Sequence, residues 1–134
     1  EVIYARGKPM STQIKATPPP WQVLELGLNP ADLRQRIQQR TEQIYRDGLV
    51  SETKVLVERY GEELPILNTI GYGEALAVLN GSLNEADAMQ ITSRRTRQFA
   101  KRQRTWFRRQ HSPCWLERPP FHDEAMTLIK KHLR

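Results

Sequence analysis

"NEADAMQITSRRTRQFAKRQRTWFRRQ" extends from Asn84 to Gln110, and this stretch determines how the rest of the chain is interpreted. Asn84, with Asp87 three residues later, predicts the N-terminus of a long helix. At about 100° per residue, one side of this helix gathers mostly apolar residues. They are Met89, Thr96, Phe99, Ala100, Gln103, Trp106 and Phe107. We expect the helix to pack along this stripe.

Positive charge is concentrated in the same stretch. Between Ala88 and Leu116 there are eight Lys and Arg residues and no Asp or Glu, whereas the rest of the chain has 13 basic and 15 acidic residues. The predicted helix arranges these cations in two ridges beside the apolar stripe. One ridge holds Arg94, Arg97, Lys101, Arg104 and Arg108, and the other holds Arg95, Arg102 and Arg109. Seven of the eight are Arg, which holds phosphate bidentately and stacks on bases.

This cationic face has more than one interpretation. It is either a solvated surface, as most charge runs are, or a surface that a polyanion completes. RNA is favoured over duplex DNA, because Trp106 or Phe107 can stack on an extruded base. Core packing is the alternative for these rings, and we favour it for Phe99 and Phe107. A helix that binds an acidic protein partner is a third interpretation.

Composition restricts the class of protein. The 134 residues are 38% hydrophobic and 27% charged, which is typical of one globular domain. No apolar run is long enough for a membrane span, and the start has no signal-peptide pattern. Cys114 is the only cysteine, so an internal disulfide is excluded. We therefore expect a cytoplasmic protein with no membrane partner.

Local patterns predict a mainly α fold with one or two short β-strands. Residues 1–20 are predicted to be the end of a helix, stopped by Gly7, and a polar loop. Residues 21–28 alternate as a strand without a visible partner, and residues 29–110 are predicted to be helical. Residues 111–134 are predicted to form a short strand at Cys114–Glu117 and a C-terminal helix at Asp123–Leu133.

Three helices are predicted between residues 29 and 81. Asn29 is the expected N-cap of the first, which Gly48 ends. Ser51 is the expected cap of the second, which ends at Gly61. The second helix is expected to bury Val55, Leu56 and Val57. A loop that begins at Pro65 leads into a short helix closing at Gly81.

Two further groups are candidates for binding. In "IGYG" (Ile70–Gly73), glycines on both sides of a Tyr let the backbone approach a phosphate or a base, although a plain helix-entry turn explains them equally well. Arg36 and Arg40 lie one helical turn apart. They are either solvated partners of Glu42 and Asp47 or ligands of a phosphate.

Several other residues are rejected as candidates for catalytic or metal-binding sites. Gly7-Lys8 lacks the spacing of a phosphate-binding loop, and Pro9 follows the Lys. The three histidines, His111, His122 and His132, share no ligand spacing, so no metal site is expected. Cys114, between Pro113 and Trp115, is predicted to be a buried small hydrophobe rather than a nucleophile.

Four segments, in this order, resemble the tRNA dimethylallyltransferase family, also called tRNA isopentenyltransferases. They are "EVIYARGKPMS", "LRQRIQQRTEQIYRDGLVSE", "LPILNTIGYGEAL" and "TRQFAKRQRTWFR". The resemblance covers roughly Glu1 to Glu117, and the chain looks like the C-terminal part of such an enzyme.

The resemblance implies an activity for the parent protein. Family members transfer a dimethylallyl group from dimethylallyl diphosphate to the N6 amine of the adenosine beside the tRNA anticodon, using Mg²⁺. Their fold is a P-loop nucleotide-binding (ATP-binding type) α/β core with a helical insertion. The family's P-loop and catalytic Asp lie N-terminal to the residues present here. This chain is therefore expected to contain no catalytic residue, to bind no metal or cofactor, and to be inactive alone. The parent is expected to be a monomer, whereas an unpaired strand would make the fragment prone to self-association.

The resemblance also implies contacts with the tRNA anticodon arm. In the basic helix these are Arg97, Lys101, Arg102, Gln103, Arg104, Thr105, Trp106, Phe107 and Arg108. In the I-G-Y element they are Asn68, Thr69, Ile70, Gly71, Tyr72 and Gly73, where Gly73 replaces the Lys or Arg of many relatives. Arg36 and Arg40 match paired arginines of the family, one of which is expected to face the diphosphate. A stand-alone helical RNA-binding module without catalytic activity is the alternative function.

Overall fold

The structure is a computed structural model that describes Gly7, residues 20–116 and residues 119–133. This described part contains five α-helices and two β-strands, which confirms the predicted mainly α fold. In chain order the elements are β1 (Leu26–Leu28), α1 (Leu33–Arg46), α2 (Leu49–Tyr60), a 3₁₀ helix (Pro65–Asn68), α3 (Tyr72–Leu79), α4 (Glu85–Gln110), β2 (Cys114–Leu116) and α5 (Phe121–His132). The helix end predicted before Gly7 and most of the loop predicted after it lie outside the described residues.

The first helix begins later than its sequence signal. α1 starts at Leu33 with Asp32 as its N-cap residue, so the prediction that Asn29 caps it is wrong. The backbone N–H of Asn29 donates instead to the carbonyl of Leu116, 3.0 Å away. This bond extends the pairing of β1 with β2 by one residue, and the chain turns into the helix only after it.

The second helix begins earlier than predicted and buries a different side. α2 starts at Leu49, directly after Gly48 at φ +102°, so Ser51 does not cap it. Leu49 and Thr53 are its buried residues, whereas Val55 is 59% exposed. Three consecutive apolar residues spread over more than half of a helix circumference, because each residue advances about 100°. They cannot all face the core. The predicted end at Gly61, which has φ +82°, is confirmed.

The core lies where the first four helices meet. Tyr45, Leu49, Ala75 and Ala88 are buried there, one from each of α1, α2, α3 and α4. Ala75 and Ala88 are fully buried, and their small side chains allow the backbones of α3 and α4 to approach their neighbours. The hydroxyls of Tyr45 and Thr92 are 3.0 Å apart inside this core and tie α1 to α4. The first half of α4 is therefore a core element.

The two strands pair with each other in parallel, which corrects the expectation of a strand without a partner. The register aligns Leu26 with Cys114, Gly27 with Trp115 and Leu28 with Leu116. Only the last three residues of the predicted 21–28 strand belong to the ladder, opposite the three residues of β2. The Trp115 ring covers Gly27, and a Cβ added there would lie 2.8 Å from ring atom Cε3.

The last helix packs beside β2. It runs from Phe121 to His132, two residues earlier at its start than the predicted Asp123. No helix in the part of the chain that the structure describes is long and apolar enough to cross a membrane.

Candidate nucleic-acid interface

The long helix α4 is divided into a buried half and an exposed half. Asn84 caps it as predicted, because its side-chain oxygen accepts from the N–H of Asp87 at 2.8 Å. The residues buried in α4 are Ala88, Thr92 and Ser93, all in the first half. In the second half the apolar stripe is open: Phe99 is 46% exposed, Trp106 52% and Phe107 42%.

The prediction that α4 packs along its whole apolar stripe is therefore wrong. The buried residues of α4 all lie in its first half, where Tyr45 of α1 and Glu74 of α3 contact it. Core packing, the interpretation favoured for Phe99 and Phe107, is also not observed. The rings of the second half are left as an aromatic surface.

The cations of the second half surround these rings. Lys101, Arg102, Arg108 and Arg109 are exposed, whereas Arg104 is half-buried and donates to Asn29 Oδ1 at 3.0 Å. Among the described residues, Arg95 is the only α4 cation in an ion pair with a carboxylate. The remaining charge of α4 is therefore available to an external anion, which would relieve the repulsion between neighbouring guanidinium groups.

An aromatic cluster closes the end of α4. The ring centroids of Trp106 and Phe107 are 5.0 Å apart in an edge-to-face arrangement, and the His111 ring is 5.0 Å from Trp106 and 5.6 Å from Phe107. Arg108 lies over the Trp115 ring at 5.6 Å, and a similar contact places Arg102 5.8 Å from Phe99. Exposed rings next to guanidinium groups are the usual composition of a base-stacking surface.

A carboxylate fixes this end of the helix to the sheet. Glu25, just before β1, lies 2.7 Å from His111 Nδ1 through one oxygen and accepts from the N–H of Ser112 at 3.3 Å through the other. The hydrogen bond with His111 holds the pKa of the Glu25 carboxyl below its ordinary value. Partial desolvation opposes this shift but does not reverse it. The aromatic cluster is thus held against β1.

The I-G-Y element, Ile70–Gly73, forms the turn that leads into α3. Gly71 has φ +99°, a backbone conformation that residues other than Gly rarely adopt. Its N–H donates to Glu74 Oε2 at 2.7 Å. A Cβ at Gly73 would lie 3.2 Å from the carbonyl of Leu67. The geometry is therefore that of a helix-entry turn, one of the two interpretations of this sequence.

The side chains of this turn point to two neighbouring helices. The hydroxyl of Tyr72 donates to the Glu52 carboxylate on α2, which raises the pKa of Tyr72 above its ordinary value, with a further contribution from burial. Glu74, directly after the turn, is buried and pairs with Arg95 of α4. Arg95 therefore does not lie on an open second ridge with Arg102 and Arg109, as the helical wheel had placed it.

The sequence predicts no ion pair between Glu74 and Arg95. Glu74 lies three residues after Gly71, which is the spacing of a capping box. This spacing indicates the bond from the Gly71 N–H to the Glu74 carboxylate, but not the second bond. The partner on α4 is 21 residues away, and no local pattern identifies it.

The paired arginines of α1 lie on its exposed side. Arg36 bonds to Asp32 at 2.9 Å, one turn earlier, and Arg40 is exposed. The predicted partners, Glu42 and Asp47, instead accept from Gln38 at 3.0 Å and Gln43 at 2.6 Å. Arg36 is thus a solvated ion pair as one interpretation held, but with Asp32 instead of the predicted Glu42 or Asp47. Arg40 pairs with neither predicted partner, and its side chain is exposed.

A groove of about 750 Å³ separates α1 from α4. Its walls carry both signs of charge, with Glu42 and Asp87 on one part and Arg94 and Arg97 on another. Arg97 donates to Ser93 Oγ at 3.1 Å within it. The mixed charge makes this groove a weaker candidate for a polyphosphate than the second half of α4.

No group of three or more His, Cys, Asp or Glu side chains that could hold a metal ion occurs in 20–116 or 119–133. Cys114 is exposed rather than buried, contrary to its prediction.

The comparisons with known proteins agree with one another. The family model described as IPP transferase matches residues 1–110. A tRNA dimethylallyltransferase of Parasynechococcus marenigrum (strain WH8102) is 69% identical over the whole chain, and one from Prochlorococcus marinus (strain MIT 9211) is 51% identical. The chain spans about 45% of the length of each of these relatives.

Two solved structures resemble this chain in fold and are partly identical to it in sequence. A tRNA delta(2)-isopentenylpyrophosphate transferase from Staphylococcus epidermidis has a TM-score of 0.76 at 28% identity, over 96% of this chain and 45% of that one. The full-length tRNA isopentenylpyrophosphate transferase from Bacillus halodurans has a TM-score of 0.75 at 29% identity, over 85% of this chain and 40% of that one. Since the family model covers most of the sequence and the relatives extend over all of it, the chain belongs to the IPP transferase family.

Proposed function

We propose that this chain is the C-terminal, tRNA-binding part of a tRNA dimethylallyltransferase. The observation that carries the proposal is the second half of α4, where exposed Lys101, Arg102, Arg108 and Arg109 surround half-exposed Trp106 and Phe107. Phosphate contacts from Arg and Lys position an RNA, and aromatic rings hold unstacked bases.

The proposed contact surface has two segments. On α4 it comprises the predicted residues from Arg97 to Arg108, and at the turn it comprises Asn68 to Gly73. Asn68 and Thr69 are exposed, which supports direct contact, whereas the Tyr72 hydroxyl is occupied by Glu52. Tyr72 thus contributes by fixing the turn.

The complete reaction belongs to the longer protein. There, a dimethylallyl group would pass from dimethylallyl diphosphate to the N6 amine of the adenosine beside the anticodon. The P-loop, the catalytic Asp and the Mg²⁺ site are proposed to lie in the portion of the relatives that this chain does not span. Arg36 or Arg40 is proposed to face the diphosphate, and the solvent-exposed Arg40 is the better placed of the two. We further propose a cytoplasmic, monomeric parent.

The test is a titration of this chain with an anticodon stem-loop that carries the target adenosine. The titration is repeated at several salt concentrations, because each phosphate contact contributes about 0.7 to 0.9 to the slope of log K against log salt. Arg102→Ala and Arg108→Ala are each expected to weaken binding severalfold. Each should also reduce the magnitude of the salt slope by about 1, the contribution of one phosphate contact.

Lys54→Ala is the matched control, since Lys54 is an exposed cation on α2, paired with Glu58 and outside both proposed contact segments. It is expected to bind as the unmodified chain does. Equal weakening by all three substitutions, or binding that salt does not affect, would contradict the proposed surface. Prenyl transfer by the isolated chain above background would contradict its proposed inactivity.

A further inference from the structure

Glu74 is a buried carboxylate at the start of α3. Its side chain is 3% exposed, and an ionised carboxylate is tolerated at such a site only when it is paired and hydrogen-bonded. Two donors from different elements meet it. The N–H of Gly71 lies 2.7 Å from Oε2, and the guanidinium of Arg95 donates to Oε1. One oxygen therefore serves the Ile70–Gly73 turn, and the other serves α4.

Arg95 completes the connection from the other side. Its side chain is 43% exposed and rises from the anchored first half of α4. Its Nη1 also lies 4.0 Å from the position that a Cβ of Gly73 would occupy, so the guanidinium lies against the turn itself. The hydroxyl of Tyr72, in the same turn, donates instead to Glu52 of α2. The turn is thus held between two helices, and only the Arg95 side reaches the helix that carries the cationic surface.

We propose that Glu74 and Arg95 form a positioning pair that fixes the Ile70–Gly73 turn against α4, so that RNA meets the turn and the basic helix as one preformed surface. This inference rests on the proposed function, in which both segments contact the tRNA. A preformed surface binds more tightly because less ordering remains to be done on association. The pair acts through the turn, and neither side chain needs to touch the RNA.

Three substitutions separate positioning from direct contact. Glu74→Gln keeps the cation at position 95 but replaces one carboxylate oxygen with an N–H₂ donor, so that either the guanidinium or the Gly71 N–H loses its acceptor. Arg95→Met keeps the length of the side chain and removes its charge, whereas Arg95→Lys keeps both the charge and one donor. Thermal unfolding of each variant defines a temperature at which all of them are folded for titration.

Positioning predicts a specific pattern of affinities for the anticodon stem-loop. Glu74→Gln and Arg95→Met should each weaken binding about fivefold, within the range found for coupling residues outside a binding site. The double variant should be no weaker than Arg95→Met, and Arg95→Lys should stay within about twofold of the unmodified chain. Normal affinity in Glu74→Gln with weakened binding in Arg95→Met would make Arg95 a direct phosphate contact and overturn the proposal. Unchanged affinity in both variants would overturn it too.

Hydrogen exchange tests the same pair without RNA. The amide of Gly71 is bonded to Glu74, so Arg95→Met should raise its exchange rate about tenfold by releasing the carboxylate. The amide of Asp87, bonded to Asn84 at the N-terminus of α4, serves as the internal control and should not change. If Gly71 exchange is unaffected, the pair does not hold the turn. Failure of the unmodified chain to bind the stem-loop would reject the proposed function, while the exchange result would still decide the role of the pair.

Discussion

Tyr45 and Thr92 provide the sharpest test of how α4 is anchored. Their hydroxyls are 3.0 Å apart, and their side chains are 4% and 2% exposed, so water does not replace either partner. Burial, more than any other effect, raises the pKa of Tyr45, which keeps its hydroxyl protonated and able to donate. We consider the variants Tyr45→Phe and Thr92→Val, alone and combined.

The expected magnitudes follow from what each variant leaves behind. After Tyr45→Phe, the Thr92 hydroxyl can turn to the carbonyl one helical turn earlier, as Thr96 does at 2.8 Å, so the loss of stability is about 1 kcal/mol. After Thr92→Val, the Tyr45 hydroxyl stays buried with no such alternative, and about 2 kcal/mol is lost. The double variant leaves neither hydroxyl and should lose about 1 to 2 kcal/mol, less than the sum of the single losses.

Urea unfolding measures these values, and thermal unfolding gives an independent check. For a chain of this length, 1 kcal/mol corresponds to a fall in Tm of roughly 3 to 4 °C. Because the cationic surface is on the other half of α4, affinity for the anticodon stem-loop should stay within about twofold at a temperature where every variant is folded. Strictly additive losses would refute the hydrogen bond as a coupled pair. A large change in RNA affinity would refute the division of α4 into an anchoring half and a binding half.

Three further predictions concern the turn, the sheet and the aromatic surface. Gly71→Ala should lower stability by about 1 to 3 kcal/mol in urea unfolding, because φ +99° strains any side chain, while the nearest atom to the new Cβ is 3.6 Å away and does not clash. Since the pKa of Glu25 is lowered in the folded chain, its stabilising effect is present above its ordinary value of 4.5 and is lost as the pH falls through the lowered pKa. Glu25→Gln should therefore flatten the dependence of Tm on pH in this acidic range, and an unchanged profile would contradict the contact with His111. Trp106→Ala should weaken RNA binding by about 1 to 3 kcal/mol with little change in Tm, because the ring is 52% exposed, and a large fall in Tm would show instead that the ring is a core element.

Local signals in the sequence predicted the limits of several elements. Asn84 with Asp87 identified the start of α4, and Gly61 with its positive φ identified the end of α2. In these cases the decisive interaction is within four residues, where the backbone itself brings the partners together. The mainly α fold followed from the same kind of information.

Long-range contacts were not predictable in this way. The pairing of β1 with β2, the ion pair of Glu74 with Arg95, and the exposure of Trp106 all depend on which elements become neighbours. A helical wheel shows that Trp106 is on the apolar side of α4, but it cannot show that no other element of the described chain buries this ring, which is 52% exposed. The helical wheel therefore gave which residues share this side of α4, whereas the exposure of Phe99 and Phe107 was not predicted.

The two attachments of α4 have a mechanical consequence. The helix is about 39 Å long, from its 26 residues at about 1.5 Å each. One end is fastened in the helical core through Thr92, and the other is fastened to the strand segment through Arg104 with Asn29 and through His111 with Glu25. Because α4 is attached to both the helical core and the strand segment, a tilt of one would be transmitted to the other. The cationic residues of α4 would then shift whenever the strands move relative to the helical core, so that this helix would couple the strands to the proposed RNA-binding surface.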